Sequence, residues 1–554
     1  MPNSASSTAG PANAASGEVR SFARIASRQF LRNRLAVAGL VVIAALASVA
    51  VWCPLIATNR PYYIRAVFDE EFENAYYSAQ DLFGRCGRLE NEYLAVRSRM
   101  DLPLTESAKA EKAQADKSLA ELRDQETLLR ARLGELAASL GAAERSRIEA
   151  IQRAVREQAR RIERRGGNSP AGAPKLAPWT EWQSEIESVA DPERVHLLPR
   201  TIWPALRSLH ALEVFFLGLW FAAALLGIRC IWKRCSVRAA AAAMVLPPLL
   251  AAVAWRVAFP PIADARDYRA ILSATLAKKQ PARAVFAPVP FGENENVLDD
   301  ANQPPAWTPA ASKRPAASTL APSERSAAGA RPHWLGADPN GRDVLARMIY
   351  GTRISMLIGI VAVGIYLAIG IVVGAVAGYF RGWVDMCLSR MIEIVICFPA
   401  LFLLLILMAY MRPNIYTIMA ALGLISWTGV ARLERGEFLR LVHQDFVMAV
   451  RALGGGPVRI IFRHILPNAL GPVLVSASFG IAHSILAEST LSFLGFGVPP
   501  DQASWGGLLK IGNDRIHELW WMVLFPGIAL FLTVTCFNLV GEGLRDATDP
   551  RLIE

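Results

Sequence analysis

Nowhere in its 554 residues does the chain read Gly-x-x-x-x-Gly-Lys followed by Ser or Thr. Without that loop it cannot cradle nucleotide phosphates by the usual device, so any ATP-driven work must draw on another chain. The seven histidines include no His-x-x-x-His or His-Glu-x-x-His pair, which argues against a metalloprotease. The seven cysteines, Cys53, Cys86, Cys230, Cys235, Cys387, Cys397 and Cys536, form no Cys-x-x-Cys, so neither a metal nor a dithiol redox site is expected, and no cofactor. Cys53 and Cys86 could bridge in an oxidising compartment, and two free thiols fit the sequence equally well. Charge is scarce too. Charged residues make up 19%, against 53% hydrophobic residues and a mean hydropathy of +0.28, more apolar than the surface of a soluble domain this size tolerates. The net charge of +11 does not point to nucleic acid, because the arginines gather at the ends of apolar runs, as they do at the cytoplasmic side of a bilayer.

What is present is a series of membrane-length runs. The first, residues 35 to 57, follows Arg24, Arg28, Arg32 and Arg34, which places the N-terminal tail (1 to 34) in the cytoplasm; that polar tail leads into a full-length span and shows no cleavable signal peptide. Residues 58 to 210 then form an extracytoplasmic insertion. In it Leu119, Leu122, Leu129, Leu133, Leu136 and Leu140, then Ile148, Ile151, Val155 and Ile162, recur at threes and fours, predicting a coiled coil or helical hairpin between Pro103 and Gly166-Gly167. Residues 211 to 259 read as an inserted two-span hairpin around the basic turn Lys233, Arg234 and Arg238, its second arm kinked by Pro247-Pro248. Residues 260 to 332 read as an extracytoplasmic linker. The remainder, 333 to 554, holds five spans, near 354 to 378, 391 to 411, 415 to 432, 470 to 492 and 519 to 541. That makes eight in all, with both termini cytoplasmic by the positive-inside bias.

Within the cytoplasmic loop 433 to 469 the stretch "DFVMAVRALG" predicts a short amphipathic helix, stopped by Gly454, Gly455, Gly456 and Pro457. "VRIIFRHIL" predicts a second short helix, ended before Pro467 and Asn468. The regular recurrence of Ile460, Ile461, Ile465 and Leu466 is more than a surface loop needs. Two helices around a glycine break make a knob suited to a cleft on a partner.

This segment resembles the EAA loop of binding-protein-dependent ABC transporter permeases. The family's Glu-Ala-Ala, three residues, Gly and later Leu-Pro appear as Met448-Ala449-Val450, Gly454 and Leu466-Pro467. The family glutamate is replaced by Met448, so its ion pair with the ATPase cannot form here; Asp445 and Glu437 are the nearby carboxylates. Two further segments resemble the dipeptide/oligopeptide branch. In "HWLGADPNGRDVLARMIYGTRIS" (333 to 355), Asp338 is expected to cap a helix beginning at Pro339, with Val344, Leu345, Met348 and Ile349 on one face and Arg342, Asp343 and Arg347 on the other. "AESTLSFLGFGVPPDQASWGGLL" (487 to 509) is similar to that branch's outward re-entrant loop. "PLIATNRPYY" (54 to 63) and "VFAPVPFGENE" (285 to 295) look like the Yej-type peptide permeases.

The expectation is therefore an all-α polytopic membrane protein: a C-terminal five-helix permease core, an N-terminal span, and an inserted coiled coil and two-span hairpin. The resemblance implies a non-enzymatic transport subunit of an importer for peptides or peptide-like solutes in the inner membrane. It also implies three kinds of partner besides the lipid bilayer: a homologous permease (heterodimer), two cytoplasmic ATPase domains, and an extracytoplasmic solute-binding protein. The residues implied in ATPase coupling are Ala449, Arg451, Ala452, Leu453, Gly454, Gly455, Gly456, Pro457, Leu466 and Pro467. A non-transporting scaffold or sensor is the alternative from another class. Gly370, Gly374 and Gly378, at four-residue spacing, are expected to serve close helix packing, and Glu393 either has a function or simply pairs with Arg390.

Overall fold

The computed structural model describes residues 29–98, 106–164, 178–192, 195, 197–232, 237–259, 266–278, 280–309, 332–411 and 414–548. The expected breaks at Pro103 and Gly166-Gly167, the turn Lys233-Arg234, Cys235 and residues 260–265, 279 and 310–331 of the linker lie outside them.

Helix α1 (Arg34–Ile56) is the first span, and Asn33 caps it by accepting the Ala36 amide. At Gly39 it touches the last helix so closely that a Cβ would sit 2.9 Å from the Cys536 carbonyl oxygen. Strand β1 (Tyr63–Ala66) follows. Helices α2 (Asp69–Ser98), α3 (Glu106–Ser139), α4 (Ala142–Arg164) and α5 (Pro178–Val189) form the insertion's own bundle. Of the two forms expected for the leucine run, coiled coil or hairpin, the structure takes the hairpin: the run is split after Ser139 and its two halves fold back on each other, with Gln152 Nε2 donating to the Arg130 carbonyl at 2.7 Å across it. Arg145 satisfies the carbonyls that the end of α3 leaves free, donating to Ala137 at 3.0 Å and Leu140 at 3.1 Å. Leu129, Leu133, Leu136, Leu140, Ile148 and Val155 are buried in one core with Phe72, Phe83, Cys86 and Trp179, so the seam is filled within this chain. Cys53 and Cys86 are both free and buried.

Strands β2 (Arg200–Ile202) and β3 (Arg283–Val285) flank β1 antiparallel, in the order β2-β1-β3, with Ile64 opposite both Ile202 and Ala284. The far ends of the insertion thus converge on the strand just after the first span. Between β2 and β3 lie α6 (Ala211–Trp232), α7 (Val237–Ala258) and α8 (Tyr268–Ala277). Helix α7 continues through Pro247 and Pro248. Helix α6 docks on α1, where Trp220 Nε1 donates to Ser48 Oγ at 2.9 Å and Trp52 meets Trp220 and Phe221 edge-on.

The C-terminal region consists of α9 (Val344–Phe380), α10 (Gly382–Ile396), α11 (Ala400–Tyr410), α12 (Ile415–Leu441), α13 (Asp445–Ala452), α14 (Pro457–Leu494), α15 (Trp505–Asp514) and α16 (Trp521–Thr548). Among the described residues α1, α9, α12, α14 and α16 are each long and apolar enough to cross a membrane; the pair α10 and α11, bent by 76°, would make a sixth. The described apolar parts of α6 and α7, Ala211–Leu225 and Met244–Ala258, are shorter.

Three expectations need correction. The span expected at 391 to 411 is not continuous: Pro399 cannot donate a backbone bond and disfavours helical geometry at Phe398, so the chain turns there. Asp338 does not cap the helix that follows. Asp343 does, accepting the Ala346 amide at 2.7 Å, and the helix it opens is the long span α9 itself. Arg342, Asp343 and Arg347 are buried, each with polar partners inside: Arg342 pairs with Asp338 at 2.7 Å, His333 sits between Asp343 and Asp300, and both arginines donate to the Pro500 carbonyl. Finally, Pro467 does not end the helix after the glycines. A π-turn over Ile460–Ile465 precedes it, in which the Leu466 amide reaches back to the Ile461 carbonyl. The wider turn absorbs a proline that has no amide to give, and the helix runs on to Leu494.

Candidate coupling site

The end of α12 and the knob α13 are joined by a tight turn at Val442 to Gln444, and Asp445 lies in the first turn of α13, where its charge suits the helix dipole. The other end of α13 closes with a full set of C-terminal bonds. The Gly454 amide donates to the Arg451 carbonyl and the Gly455 amide to Val450, both at 3.0 Å, with Gly454 at φ +77°. That is the left-handed stop a glycine supplies at least cost. Gly455 is needed for another reason: a Cβ there would lie 2.6 Å from Val450 Cγ1. Gly456 is extended and Pro457 opens α14, its missing amide costing nothing in a first turn.

The knob has two faces. Its inner face is apolar and buried: Val447, Ile460, Ile461 and Ile465 pack with Phe438, Leu441 and Val442 of α12 and its cap, and with Ala375 of α9, while Leu466 and Val450 lie half-buried at the edge. Its outer face is exposed and carries large apolar side chains, Leu453 at 87% exposure, Val458 at 70%, Phe462 at 59% and Met448 at 50%. Between them stand the exposed Arg451, Arg459 and Arg463, the first within 6.0 Å of the Tyr379 ring centre. Ala449, Ala452, Gly454, Gly456, Pro457 and Pro467 are exposed as well. An apolar surface studded with arginines, on a rigid base, is the chemistry of a protein docking patch rather than of a catalytic centre. Of the two carboxylates near Met448, Glu437 is taken up by Arg440 at 2.6 Å, whereas Asp445 is exposed three residues before Met448, on the same side of α13.

The knob's base is tied to the bundle by groups the sequence pattern did not reveal. Arg435 of α12 holds Asp385 of α10 in a two-pronged ion pair, Nη2 to Oδ2 at 2.8 Å and Nε to Oδ1. The two residues lie 50 positions apart, so no local spacing announces them. The glycines of α9 pack against α12: a Cβ would meet Val430 Cβ at 2.7 Å from Gly370, the Ala431 carbonyl oxygen at 2.5 Å from Gly374 and Phe438 Cβ at 2.6 Å from Gly378. Against the same stripe Glu434 is fully buried, and among the described residues neither carboxylate oxygen has a hydrogen-bond partner. Glu393 does pair with Arg390, at 2.5 Å on the exposed face of α10. Among the described residues no group of three or more His, Cys, Asp or Glu could hold a metal.

Residues 370–554 match the model of the binding-protein-dependent transport system inner membrane component, and 21–78 that of the N-terminal TM domain of oligopeptide transport permease C. The chain is 38% identical over 231 residues to the dipeptide transport system permease protein DppC of Alkalihalophilus pseudofirmus, a match covering 42% of this chain and 76% of that one. It is 43% identical over 219 residues to the oligopeptide transport system permease protein OppC of Haemophilus influenzae, covering 40% and 70%. A solved chain of the inward-facing MetNI methionine ABC transporter aligns over 37% of this chain and 97% of its own length, at 16% identity and a TM-score of 0.31.

Proposed function

The chain belongs to the binding-protein-dependent transport permeases of the dipeptide and oligopeptide branch, and from that premise we propose that its knob, residues 445 to 466, is the handle by which separate ATPase subunits drive it. It is a multi-pass permease subunit of an ABC importer for peptides. In the proposed arrangement the knob faces the cytoplasm, both termini lie there too, and ATP hydrolysis resides in the partner chains. A homologous permease completes the path, and an external solute-binding protein delivers the cargo. Residues 58 to 210 then lie outside, where they form a platform attached to the core, with the inserted hairpin 211 to 259 in the bilayer and the linker 260 to 332 outside. Eight crossings satisfy this parity.

The observation that carries the reading is the two-sided knob. Its inner face is fixed to the ends of α9 and α12 by buried Ile460, Ile461, Ile465 and Phe438, while its outer face offers Leu453, Val458 and Phe462 to a partner. A push on that outer face cannot be absorbed locally, because α13 is stopped by a complete cap and α14 begins at once after it. The displacement passes instead along α14 and, through Arg435 and Asp385, to the bent pair α10 and α11. Arg451, Arg459 and Arg463 would meet acidic groups on the ATPase, with Asp445 standing in for the family glutamate.

The test is to co-express the chain with its candidate ATPase, permease and binding-protein partners, purify through this chain, and reconstitute. Retention of the ATPase, with hydrolysis stimulated by peptide-loaded binding protein, is the expected result. Labelling of residues 445 to 466 from the outer side of intact cells would overturn the orientation and the handle together.

A further inference from the structure

Near the end of α14 the carboxyl of Glu488 is wholly buried, in a helix with the length and apolarity of a membrane crossing. An ionisable group is costly there and is retained for what it does. Among the described residues its hydrogen-bond partners are three serine hydroxyls. Ser492 Oγ donates to Oε1 at 2.8 Å; Ser355 Oγ, from α9, donates to Oε2 at 3.2 Å, and Ser489 Oγ to the same oxygen at 3.3 Å. Ser492 Oγ in turn accepts the Val498 amide at 3.1 Å. One carboxyl therefore joins α14, α9 and the loop between Gly495 and Ser504.

That loop is held from its other side by different segments. The Pro500 carbonyl accepts from Arg342 at 3.1 Å and Arg347 at 3.5 Å, and the Ala503 amide donates to Glu293 at 2.7 Å. Glu293 lies eight residues beyond β3, in the segment that ties the insertion to the core. Packing leaves no slack: a Cβ at Gly497 or Gly506 would overlap Ser492 or Ser489, and Trp505 is seated against Gly351 with its Nε1 donating to the Met348 carbonyl. The helix that ends in this cage is the one that starts at the knob. Its 38 residues span on the order of 55 Å, so a shift at Pro457 reaches Glu488 along one continuous rod.

We propose that Glu488 is the positioning residue of an outer latch, holding the loop 495 to 504 shut against α9, and that ATPase-driven movement of α14 opens this latch. The choice of groups suits the task. Serine hydroxyls can turn and find other partners as the loop leaves, whereas an ion pair at the same depth would have to be pulled apart into two unpaired charges. The proposal rests on the importer reading and its orientation, which place the loop outside.

The experiment uses the full complex reconstituted in vesicles, with Ala503→Cys as a reporter. Ala503 is fully buried when the loop is shut. Labelling by a membrane-impermeant maleimide is followed by mass spectrometry of the peptide that carries it. Without ATP, Glu488→Ala is expected to raise the labelling rate tenfold or more and to lower solute imported per ATP hydrolysed at least fivefold, with hydrolysis itself within twofold of the parent. Glu488→Gln, which keeps an acceptor for the hydroxyls, should stay within twofold of the parent on both readouts. Unchanged labelling in Glu488→Ala overturns the latch, as does a Glu488→Gln variant that behaves like Glu488→Ala. If Glu488→Ala does not assemble, Ser355→Ala decides, since it removes only the α9 contact: faster labelling supports the latch and parental labelling refutes it. A parent complex that hydrolyses ATP without importing would instead count against the importer reading, and the labelling comparison would still judge the latch.

Discussion

Gly454 shows how much a single backbone position can carry. At φ +77° it occupies a region that costs an L-residue about 1–2 kcal/mol, more with branching at Cβ, and the space around it is open, so the penalty comes from the backbone alone. Gly454→Ala should weaken uptake, and Gly454→Val should abolish it while leaving the chain membrane-inserted at parental level; uptake and membrane-fraction assays read both. Normal uptake by the valine variant would remove the handle from the mechanism. Glu434 makes the opposite point. A buried carboxyl with both oxygens unpartnered is a standing cost, so Glu434→Met, close in volume, should raise the stability of the detergent-solubilised chain by about 1–3 kcal/mol. A lower thermal midpoint in that variant would mean that Glu434 has a partner in the assembled complex. Gly454 was legible from its place after an amphipathic run. Glu434 and the Asp385–Arg435 pair were not, because a charge inside an apolar stretch does not announce what it faces.

At the scale of elements, the glycine stripe of α9 and the leucine seam of the insertion set two interfaces of different kinds. Gly374 lets α9 approach α12 so closely that Gly374→Leu must push the helices apart, and with them the base of the knob. The expected outcome is loss of the monodisperse peak in size-exclusion chromatography, whereas Gly364→Leu, at a position with open space, should keep it. In the insertion, Leu133→Ala removes a fully buried side chain and should cost about 2–5 kcal/mol, read as a lower melting point of the complete chain. The periodicity of these leucines predicted helices and left coiled coil and hairpin both open, since a heptad-like run reads the same whether its partner is another chain or its own continuation; the reversal near Gly141 decided for the hairpin. Pro467 is the converse case. Proline argues for a stop, and only the widened turn before it shows how the helix continues.

The whole molecule is bound together where segments distant in sequence meet outside the bundle. His333 lies buried between Asp343 at 2.8 Å and Asp300 at 3.3 Å, with the Phe291 ring stacked on it. Burial alone would lower its pKa, but the two carboxylates outweigh burial and raise it to about 9. The folded chain therefore holds this proton more tightly than the unfolded chain does. Its contribution is complete below the unfolded value near 6.5 and is lost as pH rises through about 9. The thermal midpoint should accordingly fall between pH 7 and 9.5, and His333→Gln should flatten that fall; an equally steep profile in the variant would assign it to other groups.

Sequence by itself determined that this is a membrane protein, where its apolar runs lie, that it has no phosphate-binding loop, and that a glycine-broken amphipathic segment interrupts the runs. Each follows from composition or short-range spacing, which the solvent reads directly as hydrophobicity and backbone freedom. Only the tertiary structure decided that the insertion folds on itself and is sewn to the strand after the first span, that α14 is one rod from knob to outer loop, and which buried charges find partners. Those outcomes depend on distances between residues tens or hundreds of positions apart, and such distances exist only once the helices have packed.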